Sequence, residues 1–169
     1  MADIRAERPD MADYGVGGPD WEPLPWSWAA ERLDANRNFW VVTASTAARP
    51  HALPVWGVWN VVESRFAFSC GPHARKARNL ATNPRATVMA DSTVECVSVE
   101  GRAALIDDGP RRELWIDRYV EKYRPIYPEL SPDFIRAHLL FEFVPERAFG
   151  IVEREDEFAN RATRWVFPG

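Results

Sequence analysis

Between residues 39 and 70 the chain reads as apolar, strand-like runs separated by polar breaks. Phe39 to Ser45 is β-branched and aromatic, and a polar break from Thr46 to Pro50 leads into a second apolar run, His51 to Val62. The pattern predicts a β-hairpin. Pro54 has no N–H to give to a ladder, so the second strand is expected to lie at an edge or to bulge there, and Gly57 lets a planar group approach the backbone. Phe66, Phe68 and Cys70 alternate with Ala67 and Ser69, a third strand that meets Gly71 and Pro72. From Pro72 to Ala81 the period lengthens to that of a helix. Ala74, Ala77, Leu80 and Ala81 share one face, Arg75 and Asn79 lie opposite, and Lys76 and Arg78 flank them. Asn83 and Pro84 stop that helix.

Two more strands are predicted at Arg85–Ala90 and Glu95–Ile106. Asp107 to Pro110 then turns the chain into a helix, Arg111–Tyr123, whose Leu114, Trp115, Ile116, Tyr119 and Val120 cover one side. Ser131-Pro132-Asp133 starts a further helical turn running to His138. Leu140–Val144, Phe149–Glu153 and Thr163–Phe167 read as three closing strands. Near the N-terminus, Ser27 stands as a capping hydroxyl before a short helix to Leu33, with Trp26, Ala30 and Leu33 facing inward. Residues 1–20 show no periodicity and read as a flexible arm. Residues 21–169 then form one domain, mainly β (α+β): an antiparallel closed sheet of six to eight strands with peripheral helices.

Composition changes this picture in three ways. Eight Trp and nine Phe in 169 residues need a deep core, a ligand cavity or a subunit interface to cover them. Cys70 and Cys96 have no CxxC or CxxH spacing, so they suggest neither a disulfide framework nor a zinc site and read as buried thiols. The longest mostly apolar stretch, Phe39–Ala48, is about half a bilayer span, and the N-terminus is charged where an export signal would be apolar. A cytoplasmic protein without a membrane segment is therefore expected.

Charge is the most informative of these properties. The formal net charge is −4, yet residues 35–90 carry Arg37, Arg49, Arg65, Arg75, Lys76, Arg78 and Arg85 against a single acid, Glu63. A local cationic surplus in an acidic chain points to a small anionic ligand rather than to duplex nucleic acid, which the remaining segments would repel. Its densest part lies where the third strand turns through Ser69-Cys70-Gly71-Pro72-His73 into a helix with Arg75 and Lys76 in its first turn. Free N–H groups and cations at that place suit a phosphate. From composition alone, a solvated helix face accounts for the same residues.

Catalytic constellations are not visible. His51, His73 and His138 have no ligand spacing, so no metal centre is expected. His51 reads as an ordinary strand residue, and only His73 falls in the phosphate loop. Ser69 lacks a nucleophile elbow, which argues against hydrolysis.

Several blocks in order carry a family resemblance. They are Arg49-Pro50-His51-Ala52-Leu53-Pro54-Val55-Trp56-Gly57-Val58-Trp59, Phe66-Ala67-Phe68-Ser69, His73-Ala74-Arg75-Lys76-Ala77-Arg78-Asn79-Leu80, Asn83-Pro84 and Val97-Ser98-Val99-Glu100-Gly101, with Thr163-Arg164-Trp165 near the end. Together they resemble the pyridoxamine 5'-phosphate oxidase-like split β-barrel superfamily, and within it the flavin/deazaflavin oxidoreductase (B-type) branch. The resemblance spans residues 26–167. It implies a split β-barrel that binds FMN or the deazaflavin coenzyme F-420, and a homodimer with the cofactor at the subunit interface. It also implies that Pro54, Val55 and Trp56 lie along the ring system and that Ser69 sits beside the phosphate or sugar chain. Cys70, Gly71 and His73 would form the loop, Arg75 and Lys76 would hold the phosphate with Arg78 close by, and Trp165 with Arg164 could reach the neighbouring subunit's cofactor. The Arg-x-His arrangement of the enzymes that oxidise pyridoxamine phosphate is absent, which disfavours vitamin B6 oxidation. The expected activity is hydride transfer from coenzyme F-420 to a small unsaturated or heteroaromatic acceptor. The alternatives are an FMN-dependent oxidoreductase and a non-catalytic flavin- or haem-binding protein. No catalytic side chain is assigned, because the cofactor would carry the hard step.

Overall fold

A computed structural model describes residues 4–169. The elements in chain order are β1 (Arg5–Glu7), α1 (Trp26–Ala35), β2 (Asn38–Ala44), β3 (Pro50–Asn60), β4 (Arg65–Cys70), α2 (Arg75–Leu80), β5 (Arg85–Met89), β6 (Glu95–Leu105), α3 (Pro110–Tyr123), α4 (Pro132–Arg136), β7 (Leu139–Val152), α5 (Phe158–Arg161) and β8 (Thr163–Val166). Every strand pairing is antiparallel. The order β7-β4-β3-β2-β5-β6 closes on itself through a β6–β7 pairing, and β8 and β1 extend the sheet from β7. The fold is thus mainly β, a closed six-stranded barrel with two extra strands and peripheral helices.

Alternation fills the barrel. Phe39 and Val41 of β2, Trp59 of β3, Phe66 and Phe68 of β4, Val97 and Val99 of β6 and Phe143 of β7 belong to one buried cluster, completed from outside the strands by Leu33 of α1 and Ala77 and Leu80 of α2. A second cluster lies on the opposite face, where Val58 and Ala67 meet Trp115, Ile116, Tyr119 and Tyr123 of α3 and Ile135 of α4. The barrel is therefore packed solid inside, and α3 clothes the outer side of β3 and β4.

The closing strands differ from the sequence expectation. Leu140–Val144 and Phe149–Glu153 are parts of one fourteen-residue strand, β7, which pairs with β4 over Leu139–Phe143 and with β6 over almost its whole length. Pro145 lacks a donor, but it lies opposite Gly101 at a register shift between Glu100 and Gly101. A bulge absorbs the missing hydrogen bond and lets the strand bend without ending.

Three further differences have local causes. Leu114, expected inside, is exposed, while Arg112 and Tyr123 of α3 are buried. Arg112 is accommodated because its guanidinium donates to the carbonyls of Ile106, Arg136 and His138. Helix α1 begins at Trp26 after Pro25, and Ser27 makes no cap. Within the stretch expected as a flexible arm, β1 pairs with β8, and Arg164 Nη2 donates to the Glu7 carboxylate at 2.9 Å. Residues 1–3 of that stretch lie outside the described residues. Among the described residues no helix is long and apolar enough to cross a membrane.

Candidate functional site

Strands β3 and β4 form a fork. They pair only from Gly57–Asn60 to Arg65–Phe68. The first half of β3, Pro50–Trp56, has β2 as its sole partner, and the end of β4, Ser69–Cys70, turns to β7. Pro54 thus lies on an open edge, as its missing N–H requires. Beyond Cys70 the chain turns into α2, which docks on β2. Asn79, expected on the solvent side, is buried, and its Nδ2 donates to Thr43 Oγ1 at 2.9 Å.

That docking covers most of the Lys76 side chain. Lys76 is 6% exposed, and among the described residues neither a carboxylate nor a hydrogen-bond acceptor meets its ammonium. A cation with a covered stem and no carboxylate of its own leaves the place receptive to an anion. Arg75, the next residue on the same short helix, is exposed. Helix α2 has only six residues and no side-chain cap, so its dipole is small and the cationic side chains carry the attraction.

Other groups gather around Lys76. Burial, and then the charges of Lys76 and Arg75, lower the pKa of His51, whose Nδ1 is buried without a partner. His51 was assigned no role from sequence. Its spacing from Leu53 and Val55 was the available signal, since all three share one face of β3. Val55, Cys70 and Ala74 are half-buried and each packs against the core. Burial pushes the Cys70 thiol up, against a smaller opposing effect of Lys76. This disfavours a thiolate, so Cys70 is a packing residue rather than a nucleophile.

The remaining expected residues divide. Ser69 is half-buried at the fork, and its backbone N–H donates to the Tyr119 hydroxyl at 3.3 Å. Gly71 borders open space, since a Cβ there would meet nothing within 4 Å. His73 is exposed, and its carbonyl accepts from Arg78 Nη1 at 2.6 Å, which holds Arg78 against the loop. The ring of Trp56, expected along the cofactor's ring system, is half-buried and packs on aromatic residues of the chain itself. It stacks on Tyr123 at 4.8 Å and packs on Tyr127 at 4.5 Å, because Trp56 faces α3 while Val55 faces the core. Only the backbone of Trp56 reaches the fork.

Trp165 is a second correction. It is fully buried, its Nε1 donates to the Leu24 carbonyl at 3.2 Å, and Trp26 and Trp28 pack against its ring. It belongs to the core beneath α1, away from Arg75 and Lys76. Trp165→Phe is accordingly expected to lower unfolding free energy by about 1–2 kcal/mol, from the lost hydrogen bond and a small cavity. Thermal and urea denaturation measure that loss, and affinity for a flavin should stay within about twofold.

A recess of about 350 Å³ runs along Thr43, Pro50, Arg85, Thr87 and Glu100. A smaller apolar recess of about 280 Å³ is lined by Trp40, Val42, Ala52, Met89 and Cys96. The fork itself has strand and helix on two sides and solvent on the other.

Comparison with known proteins agrees with this geometry. Among curated proteins none matches the chain. Among solved structures, a FAD-binding protein from Mesorhizobium loti superposes with a TM-score of 0.60 at 16% identity, over 97% of this chain and 99% of its own. A putative pyridoxamine 5'-phosphate oxidase from Listeria innocua gives 0.58 at 16% identity, over 73% and 95%. The haem storage protein HutZ from Vibrio cholerae gives 0.59 at 19%, over 70% and 87%. Identities this low establish a shared fold and nothing about ligands. The family model described as pyridoxamine 5'-phosphate oxidase matches residues 28–151, a stretch that contains all of the fork, α2 and the bulge at Gly101. With most of the chain inside that match and the barrel closed as described, this chain belongs to the pyridoxamine 5'-phosphate oxidase family.

Proposed function

We propose that the protein is an oxidoreductase that grips a flavin-type cofactor by its phosphate at the β3–β4 fork. In this reading the cofactor is coenzyme F-420, as in the deazaflavin branch that the sequence resembles. One observation carries the proposal. None of the seven cations between residues 35 and 90 makes an ion pair among the described residues, whereas nine arginines elsewhere do. Cations left without carboxylates on one segment suit a ligand that brings its own negative charge.

Lys76 and Arg75 would take the phosphate, with the Ser69 hydroxyl and the Gly71 backbone beside it. Val55 and the open edge of β3 would flank the ring system and keep water from it. The bound ring would supply hydride transfer to a small unsaturated or heteroaromatic acceptor, so no acid, base or nucleophile of the chain is assigned a part. Coenzyme F-420 bears a phosphodiester and an oligoglutamate tail and so engages several cations, whereas FMN needs one phosphate clamp. That difference favours the deazaflavin. A second copy of the chain would close the solvent side of the fork. The exposed Trp40 and Leu53, with the apolar recess around Trp40, are the surface available for it.

Titration of apo-protein with coenzyme F-420 and with FMN, followed by fluorescence, tests the reading, with mass in solution measured alongside. The expected result is tighter binding of F-420 by a dimer. Preference for FMN overturns the deazaflavin assignment. Tight binding of a flavin or haem without turnover of any reductant–acceptor pair would instead make the protein a carrier, and a monomeric mass with cofactor bound would overturn the shared site.

A further inference from the structure

Strands β3 and β4 separate at one defined pair. Gly57 lies opposite Phe68, so an uninterrupted antiparallel ladder would next set Trp56 opposite Ser69. These two residues do not pair. The Tyr119 hydroxyl of α3 stands between them, accepting from the Ser69 N–H at 3.3 Å and donating to the Trp56 carbonyl. One side-chain hydroxyl thus takes the place of a ladder hydrogen bond and satisfies both groups while keeping the strands apart.

The next turn of α3 does the corresponding thing on the other edge of β3. The Tyr123 hydroxyl accepts from the Gly57 N–H at 2.8 Å, with the carbonyls of Arg37 and Gly57 in donating reach at 2.6 and 2.9 Å. That contact lies just before β2 begins at Asn38 and extends the β2–β3 ladder by one step. The two tyrosines are four residues apart and on one helix face. Both are fully buried, yet only Tyr119 points to the fork.

We infer that Tyr119 is a wedge: its hydroxyl ends the β3–β4 ladder early and so opens the cleft between Trp56 and Ser69 that the cofactor occupies. The inference rests on the cofactor reading above and makes Tyr119 a positioning residue, since it acts through the strands it holds apart. Burial keeps the hydroxyl protonated, its pKa standing well above the usual tyrosine value, so it remains a donor to the Trp56 carbonyl across the working pH range.

The test compares Tyr119→Phe with Tyr123→Phe, each losing one buried hydroxyl of the same helix. Binding of F-420 and FMN is titrated, and amide exchange at Ser69 is followed by NMR. In Tyr119→Phe, Ser69 is expected to pair directly with Trp56, so its amide exchanges more slowly and affinity falls at least tenfold. In Tyr123→Phe, affinity is expected to stay within twofold although stability falls. Replacement of Tyr119 by p-aminophenylalanine, which keeps a polar group at the fork, is expected to retain affinity. Should Tyr119→Phe fail to fold, loss of binding in the folded aminophenylalanine variant overturns the wedge. Wild-type protein that binds neither cofactor overturns the functional reading, and exchange at Ser69 still tests the wedge. Wild-type binding that Tyr119→Phe leaves unchanged overturns the wedge alone.

Discussion

Lys76→Met is expected to weaken flavin binding about 10- to 100-fold while leaving the apo-protein as stable as before or more stable by about 1 kcal/mol. The two effects have one origin. The Lys76 side chain is largely covered, and among the described residues no carboxylate pairs with its ammonium, so its replacement breaks no ion pair of the apo-protein. A phosphate would supply the missing partner, and a charge-assisted hydrogen bond of this kind contributes about 1.5–3 kcal/mol. Methionine fills a similar volume without the charge. Arg75→Ala, at an exposed position, should cost less alone, and the double change about 2–5 kcal/mol of binding free energy. Calorimetric titration beside urea denaturation separates the two readouts. Unchanged affinity would remove the phosphate from this site, and a large loss of stability would show that Lys76 has a structural partner instead.

Gly101→Ala is expected to destabilise the fold by more than about 3 kcal/mol. A Cβ at Gly101 would stand 2.1 Å from the Val144 carbonyl oxygen and 3.0 Å from Pro145 Cα. Both are backbone atoms of β7 at the bulge, so no side chain can swing away and the barrel seam itself must shift. Gly71→Ala is the control, since its Cβ would meet nothing within 4 Å, and its stability should stay within about 1 kcal/mol. Equal denaturation midpoints for the two variants would contradict the close approach of β6 and β7.

The difference between these glycines shows where sequence reading stops. Gly101 closes a block that carries the family resemblance and Gly71 lies between two such blocks, and the sequence does not tell their surroundings apart. Only the β6–β7 register, between segments about forty residues apart, makes one of them irreplaceable. In the same way the cationic surplus of residues 35–90 was legible, because charge adds along the chain without regard to fold. Which cation is buried was not legible: Lys76 looked like a flanking residue of α2 until that helix docked on β2 through Asn79 and Thr43.

By itself the sequence determined the β2–β3 hairpin, the strand at Phe66–Cys70, the short cationic helix after it and a mainly antiparallel β class. Each of these follows from periodicity and turn chemistry within about a dozen neighbouring residues. Tertiary structure alone decided that β7 is one strand, that Trp56 turns its ring to α3, that Trp165 is core and that Tyr119 parts β3 from β4. Alternation identifies the two faces of a strand but not what covers each, and β3 is covered by the core on one face and by α3 on the other.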